Sequence, residues 1–132
     1  MPTVTNLHRK RRSPRFFIER DRLVGGPFRG VLDSDRILEG EGEERGRLTL
    51  RQGIIDDPFL RAWILQRRAA GGEAGNDDYL DLVAVDPHGQ VFARWILNEL
   101  RVLEICDRRQ RRDEDPSFDY IILEALARSD DR

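Results

Sequence analysis

The stretch from Arg47 to Arg68, RLTLRQGIIDDPFLRAWILQRR, constrains the fold more than any other part of the chain. Arg47–Arg51 alternates as a strand does, Gly53 marks a corner, and a helix follows over about residues 57–68. Asp56 or Asp57 caps that helix by accepting a hydrogen bond from an orphaned backbone N–H, and Pro58 suits its first turn. Leu60, Trp63 and Ile64 fall on one face at helical spacing, with the stem of Arg67 continuing the stripe. Arg67 and Arg68 stand where a helix C-terminus favours positive charge, and Gly71-Gly72 ends the element. No second segment carries such marks. A lone helix of about three turns is stable only when its apolar face lies on a sheet. The expected fold is therefore mainly β: an antiparallel barrel or sandwich of about six or seven strands with one flanking helix.

The strands can be placed in order. Phe16–Val24 is the first, with Phe16, Ile18 and Leu23 turned inward, and Gly25-Gly26-Pro27 reads as a turn. Phe28–Leu38 forms a second strand region, interrupted at Gly30 and at the cluster Asp33-Ser34-Asp35. The glycine-rich acidic stretch Gly40–Gly46 reads as a loop outside the core. After the organising strand and helix, Gly71–Asp77 is a linker and Tyr79–Val85 a strand with Leu80, Leu82 and Ala84 on one face. Asp86-Pro87-His88-Gly89 turns it into a return strand, Gln90–Leu97, with Val91, Ala93, Trp95 and Leu97 on one face. Leu100–Cys106 is a further strand, Asp107–Ser117 a charged loop, and Phe118–Ala127 the last strand. Trp63 and Trp95 are the expected core anchors, helix against hairpin. Without any βαβ alternation, a parallel sheet is not expected. The domain spans residues 16–128, between an arm over residues 1–15 and a frayed tail over 129–132.

Charge and cysteine usage narrow the function. Charged residues make up 36% of the chain against 39% hydrophobic, which leaves a modest core and a heavily charged surface. The net charge of −2 hides a basic arm, in which Arg9, Lys10, Arg11, Arg12 and Arg15 occur without an acid among them. Such a run suits nucleic acid or another anionic surface; equally, it suits a solvated tail or one that orders against a neighbouring subunit. The single cysteine, Cys106, excludes an intramolecular disulfide and fits a reducing compartment. No apolar run approaches the ~20 residues of a membrane-spanning helix, and no apolar segment follows the basic start as in a secretory signal. Synthesis in the cytoplasm and no membrane insertion are expected. His8 and His88 have no partner at metal-ligand spacing, and the acids Glu39, Glu41, Glu43 and Glu44 lack the spacing of a calcium loop. Helix capping accounts for Asp56 and Asp57, and no phosphate-binding glycine pattern occurs. The residues point to no catalysis and no cofactor.

Three segments together resemble the tail tube family of contractile phages and related injection systems: LTLRQGIIDDPFLRAWI, the hairpin DYLDLVAVDPHGQVFARWIL and the closing strand FDYIILEALA. That family shows a strand ending in L-x-R-G, a corner containing Asp, a helix bearing Trp, a D-x-x-G turn, a W-x-L strand and a final E-x-L strand. Here Leu48–Gly53 matches the first element with one extra residue, and Trp63 takes the helix position. Asp86 and Gly89 match the turn, Trp95-Ile96-Leu97 the next strand, and Glu124-Ala125-Leu126 the end. Where the family has Pro soon after W-x-L, this chain has Asn98-Glu99-Leu100-Arg101. The resemblance implies a structural protein that forms homo-hexameric rings stacked into a hollow tube, in a virion tail or injection particle, with sheath and baseplate proteins as partners. It also implies ring-to-ring contacts, assigned here to Glu39, Glu41, Glu43 and Glu44 and to Arg108, Arg109, Arg111, Arg112, Asp113 and Glu114. Arg9, Lys10, Arg11 and Arg12 would make arm contacts. The alternative is a small β-barrel binding or adaptor module, touching a baseplate partner or nucleic acid through its arm.

Overall fold

The structure is a computed structural model and describes residues 14–70, 77–106 and 117–130. Six strands close into a barrel: β1 (Arg15–Arg20), β2 (Leu23–Leu32), β3 (Glu41–Ile54), β4 (Leu80–Val85), β5 (Val91–Cys106) and β6 (Ser117–Ser129). Among the described residues the one α-helix, α1, is Pro58–Ala70. Around the barrel the order is β1-β2-β3-β6-β5-β4, every pairing is antiparallel, and β4 returns to β1 through Arg15 opposite Val85 and Ile18 opposite Leu82. Closure pairs both edges of the sheet, which would otherwise present unsatisfied N–H and C=O groups.

Alternation supplies the interior. Phe16, Ile18, Phe28, Leu48, Leu50, Leu80, Leu82, Leu97, Ile121 and Leu123 are buried and form one cluster. The barrel is therefore filled with side chains, and no described polar or charged residue is buried within it. Helix α1 adds Leu60 and Ile64, both buried, and packs against β5 and β2. Its cap is Asp57, whose Oδ1 accepts from the N–H groups of Phe59 (2.9 Å) and Leu60 (3.0 Å). Asp57→Ala is expected to cost about 1 kcal/mol by orphaning those donors, read as a lower urea midpoint with an unchanged slope; Asp56→Ala should leave the midpoint in place.

Four local expectations are corrected. Gly25-Gly26-Pro27 lies inside β2 and is not the turn, which Asp21 and Arg22 make with both φ angles positive (48° and 71°). Gly25 is needed for contact: a Cβ there would sit 3.1 Å from Leu60 of the helix. The second strand stops at Leu32. Asp33 then accepts from the N–H groups of Ile37 and Leu38 (2.9 Å each) and winds a 3-10 turn, Ile37–Glu39, that drives both side chains into the barrel end. Residues 41–46 are strand, because β6 is long enough to pair with them; Glu41 lies opposite Arg128 and Arg45 opposite Leu126 around an irregularity. Gly46 is buried beneath the 3-10 turn, where a Cβ would meet Ile37 at 2.2 Å. Finally, Gln90–Leu97 and Leu100–Cys106 belong to one strand, β5, kinked where Glu99 takes φ 48° and the register with β6 shifts.

Candidate functional site

The β4–β5 turn is built around Asp86. Its Oδ1 accepts from the N–H groups of His88 and Gln90 (2.9 Å each), and Gly89, at φ 84°, donates to the Asp86 carbonyl. His88 is exposed in that turn. Trp95, five residues past the turn, is buried, and its indole N–H donates to the Leu38 carbonyl at 3.0 Å, tying β5 to the 3-10 turn. Trp95 thus anchors the core as expected. Trp63 does not: its ring is half-buried at the core's margin, 4.3 Å from the Arg20 guanidinium and 5.3 Å from that of Arg67. Arg20 is stacked between Trp63 and Tyr79 and donates to the Tyr79 carbonyl, while Arg67 pairs with Asp78 at 2.6 Å. The helix docks through Leu60 and Ile64, and these cations stack over its flank.

The expected contact residues fall into three groups. Glu41, Glu43 and Glu44 are exposed on β3, and Glu39 ends the 3-10 turn with one carboxylate oxygen enclosed and without a hydrogen bond. All four lie at the barrel end shared with the β4–β5 turn and the start of β1. Arg108, Arg109, Arg111, Arg112, Asp113 and Glu114, and the arm residues Arg9, Lys10, Arg11 and Arg12, lie outside the described residues.

Sequence reasoning missed a cleft of about 640 Å³ on the barrel's outer wall, at that same end. Arg94 on β5 runs across it, pairing with Glu19 of β1 at 2.7 Å and approaching Asp81 of β4 at 3.5 Å. Asp130 lies beyond β6 and donates its N–H to the Arg94 carbonyl. Val91 and Phe92 supply apolar lining, and Val91 is 53% exposed. Burial pushes the Asp81 carboxyl above its ordinary value, against the pull of Arg94 and with Glu19 and Asp130 pushing the same way. The only advance signal was the alternation that places Glu19, Asp81 and Arg94 on the outward faces of neighbouring strands.

Two further reactive side chains face each other on β5 and β6. Cys106 is half-buried opposite Tyr120, whose hydroxyl donates to Glu104 at 3.4 Å. Hydrogen bonding with Cys106, together with the Glu104 charge, pushes the Tyr120 hydroxyl up to about 12, away from the range of a general base at neutral pH. No group of three or more described His, Cys, Asp or Glu residues is arranged to hold a metal ion. No described helix is long and apolar enough to cross a membrane. No family model matches the chain, and no curated protein or solved structure is significantly similar to it.

Proposed function

We propose that the chain is a structural subunit of a phage tail tube or contractile injection-system inner tube, assembling into stacked hexameric rings without catalysis. The observation that carries this reading is the order of the resembling segments within one fold. The Leu48–Gly53 segment of β3 leads into the flanking helix, Asp86 and Gly89 make the turn, Trp95 anchors the core, and Glu124 sits on the long final strand. Closure of the barrel rules out the simplest route to assembly, an incomplete sheet completed by a neighbour. The lengths of the strands leave another. β3, β5 and β6 run 14, 16 and 13 residues, whereas β1 and β4 have six each. Pairing with β2 covers only Thr49–Gly53 of β3, and pairing with β4 only Val91–Leu97 of β5, so both long strands continue past their shorter neighbours; the 3-10 turn covers β3 at Gly46 and Arg47, and Leu100 of β5 donates to the Asp78 carbonyl. Strand addition between copies would use the lengths past those contacts, Glu41–Arg45 of β3 and Val102–Cys106 of β5, and heterologous contacts of this kind close into rings. Arg45 and Arg101 flank Glu124 across the β3-β6-β5 sheet at 3.3 and 3.7 Å, a charged outer face on which register between rings can be set.

The test is electron microscopy of the purified protein. A domain of this length is roughly 36 Å across, so six in contact form a ring of roughly 110 Å. Rings or tubes of that width are expected, and a protein that stays monomeric at high concentration would overturn the reading. The second reading, a closed β-barrel adaptor that uses its arm on nucleic acid, predicts salt-dependent DNA binding lost on deleting residues 9–15.

A further inference from the structure

We infer that the cleft over Arg94 is the docking site of the chain's own basic arm, held by the carboxylates of Asp81 and Asp130 against the apolar lip of Val91 and Phe92. Three observations converge on this occupant.

The first is where the arm leaves the barrel. Arg15 begins β1 opposite Val85, and Val85 is opposite Val91, which lines the cleft. The cleft is therefore about two strand spacings, ~10 Å, from the arm's point of departure. Lys10 lies five residues before Arg15, a reach of up to ~17 Å for extended chain before its own side chain is added. The second is charge. The charges of Glu19, Asp81 and Asp130 all act on Arg94, and Asp81 and Asp130 line the cleft, while residues 9–12 are Arg-Lys-Arg-Arg. The third is the state of Asp81. Burial, with the charges of Glu19 and Asp130, raises its carboxyl from its ordinary value despite the neighbouring Arg94 guanidinium, so one cation does not offset them. A second cation beside it would relieve that strain on the ionised form.

The inference does not depend on ring formation, since a strictly monomeric protein would still hold its arm. Its test uses a feature of the composition: Lys10 is the only lysine. A zero-length carbodiimide cross-linker joins a lysine amine only to a carboxylate in direct contact with it. Applied to the full chain and followed by peptide mass spectrometry, it should join Lys10 chiefly to Asp81 or Asp130. The yield should fall several-fold at ~1 M salt, where the Debye length shrinks to ~3 Å. Asp81→Asn combined with Asp130→Asn should abolish that product without producing an equal one elsewhere. In a mixture of ordinary and nitrogen-15 protein, the linked peptides should be isotopically pure, which marks them as coming from one chain. Links of Lys10 mainly to Glu41, Glu43 or Glu44, mixed-isotope links showing that a second copy supplies the arm, or no link at all would each overturn the assignment. Rings without the cross-link would count against the arm alone, and the cross-link without rings against the tube alone.

Discussion

Gly53→Ala is expected to lose about 3 kcal/mol of stability, although it adds one methyl group at a strand position of ordinary backbone conformation. Gly53 is absent from the positive-φ glycines, so alanine pays nothing for its backbone there. The cost is steric. Gly53 faces Phe28 across the β2–β3 pair, and a Cβ would lie 2.2 Å from Cδ1 of the ring and 2.5 Å from Cγ. Phe28 is fully buried, so its ring can move only by displacing other core side chains. An aromatic ring laid over a cross-strand glycine is a recurrent way to fill the gap left by the missing side chain. The measurement is a four-protein cycle of wild type, Gly53→Ala, Phe28→Ala and the double variant, unfolded in urea. Phe28→Ala alone should cost about 3–5 kcal/mol through the cavity it leaves, and Gly53→Ala should then cost little more. An equal cost of Gly53→Ala in both backgrounds would show that the ring is not what the methyl group meets.

That contact also shows what the sequence could and could not reveal. Gly53 reads as a corner, since glycine before a helix cap is the usual mark of one, yet it is a strand residue selected by a ring 25 positions earlier. The same error arises at Gly25-Gly26-Pro27. Composition says turn, but Gly25 is small because Leu60 and Ile55 lie on it, and the chain reverses at Asp21-Arg22 instead. Local signals succeeded where the cause is local. Asp57 caps its own helix, Asp86 closes its own turn, and the alternation of Leu80, Leu82 and Ala84 buries all three. They failed where a distant partner decides. Residues 41–46 look like a solvated loop until β6 is laid beside them, and closure depends on β1 meeting β4 more than sixty residues away. The cleft belongs to this second class, since Glu19, Asp81, Arg94 and Asp130 come together only when the barrel closes.

The two tryptophans separate these classes by experiment. Trp95→Ala is expected to cost about 3–5 kcal/mol, because it empties a buried site at the barrel end. The ring is 5% exposed, and the carbonyl it serves belongs to Leu38, itself buried. Trp95→Phe keeps most of the volume and removes the donor, so about 1–2 kcal/mol of the loss should remain as the cost of an unserved carbonyl. Trp63→Ala should cost less, about 1–2 kcal/mol, since its half-buried ring contributes flank packing and contact with two guanidiniums. Its interaction is also the more sensitive to context: replacing Arg20 by Met should reduce the effect of Trp63→Ala and leave that of Trp95→Ala unchanged. The comparison is made from urea midpoints at a common slope. If Trp63→Ala proved as costly as Trp95→Ala, the helix would be fastened through its tryptophan after all, and Leu60 and Ile64 would be secondary. If Trp95→Ala proved mild, the 3-10 turn would not depend on the indole, and the barrel end beside the cleft would be held by Asp33 and its two backbone hydrogen bonds.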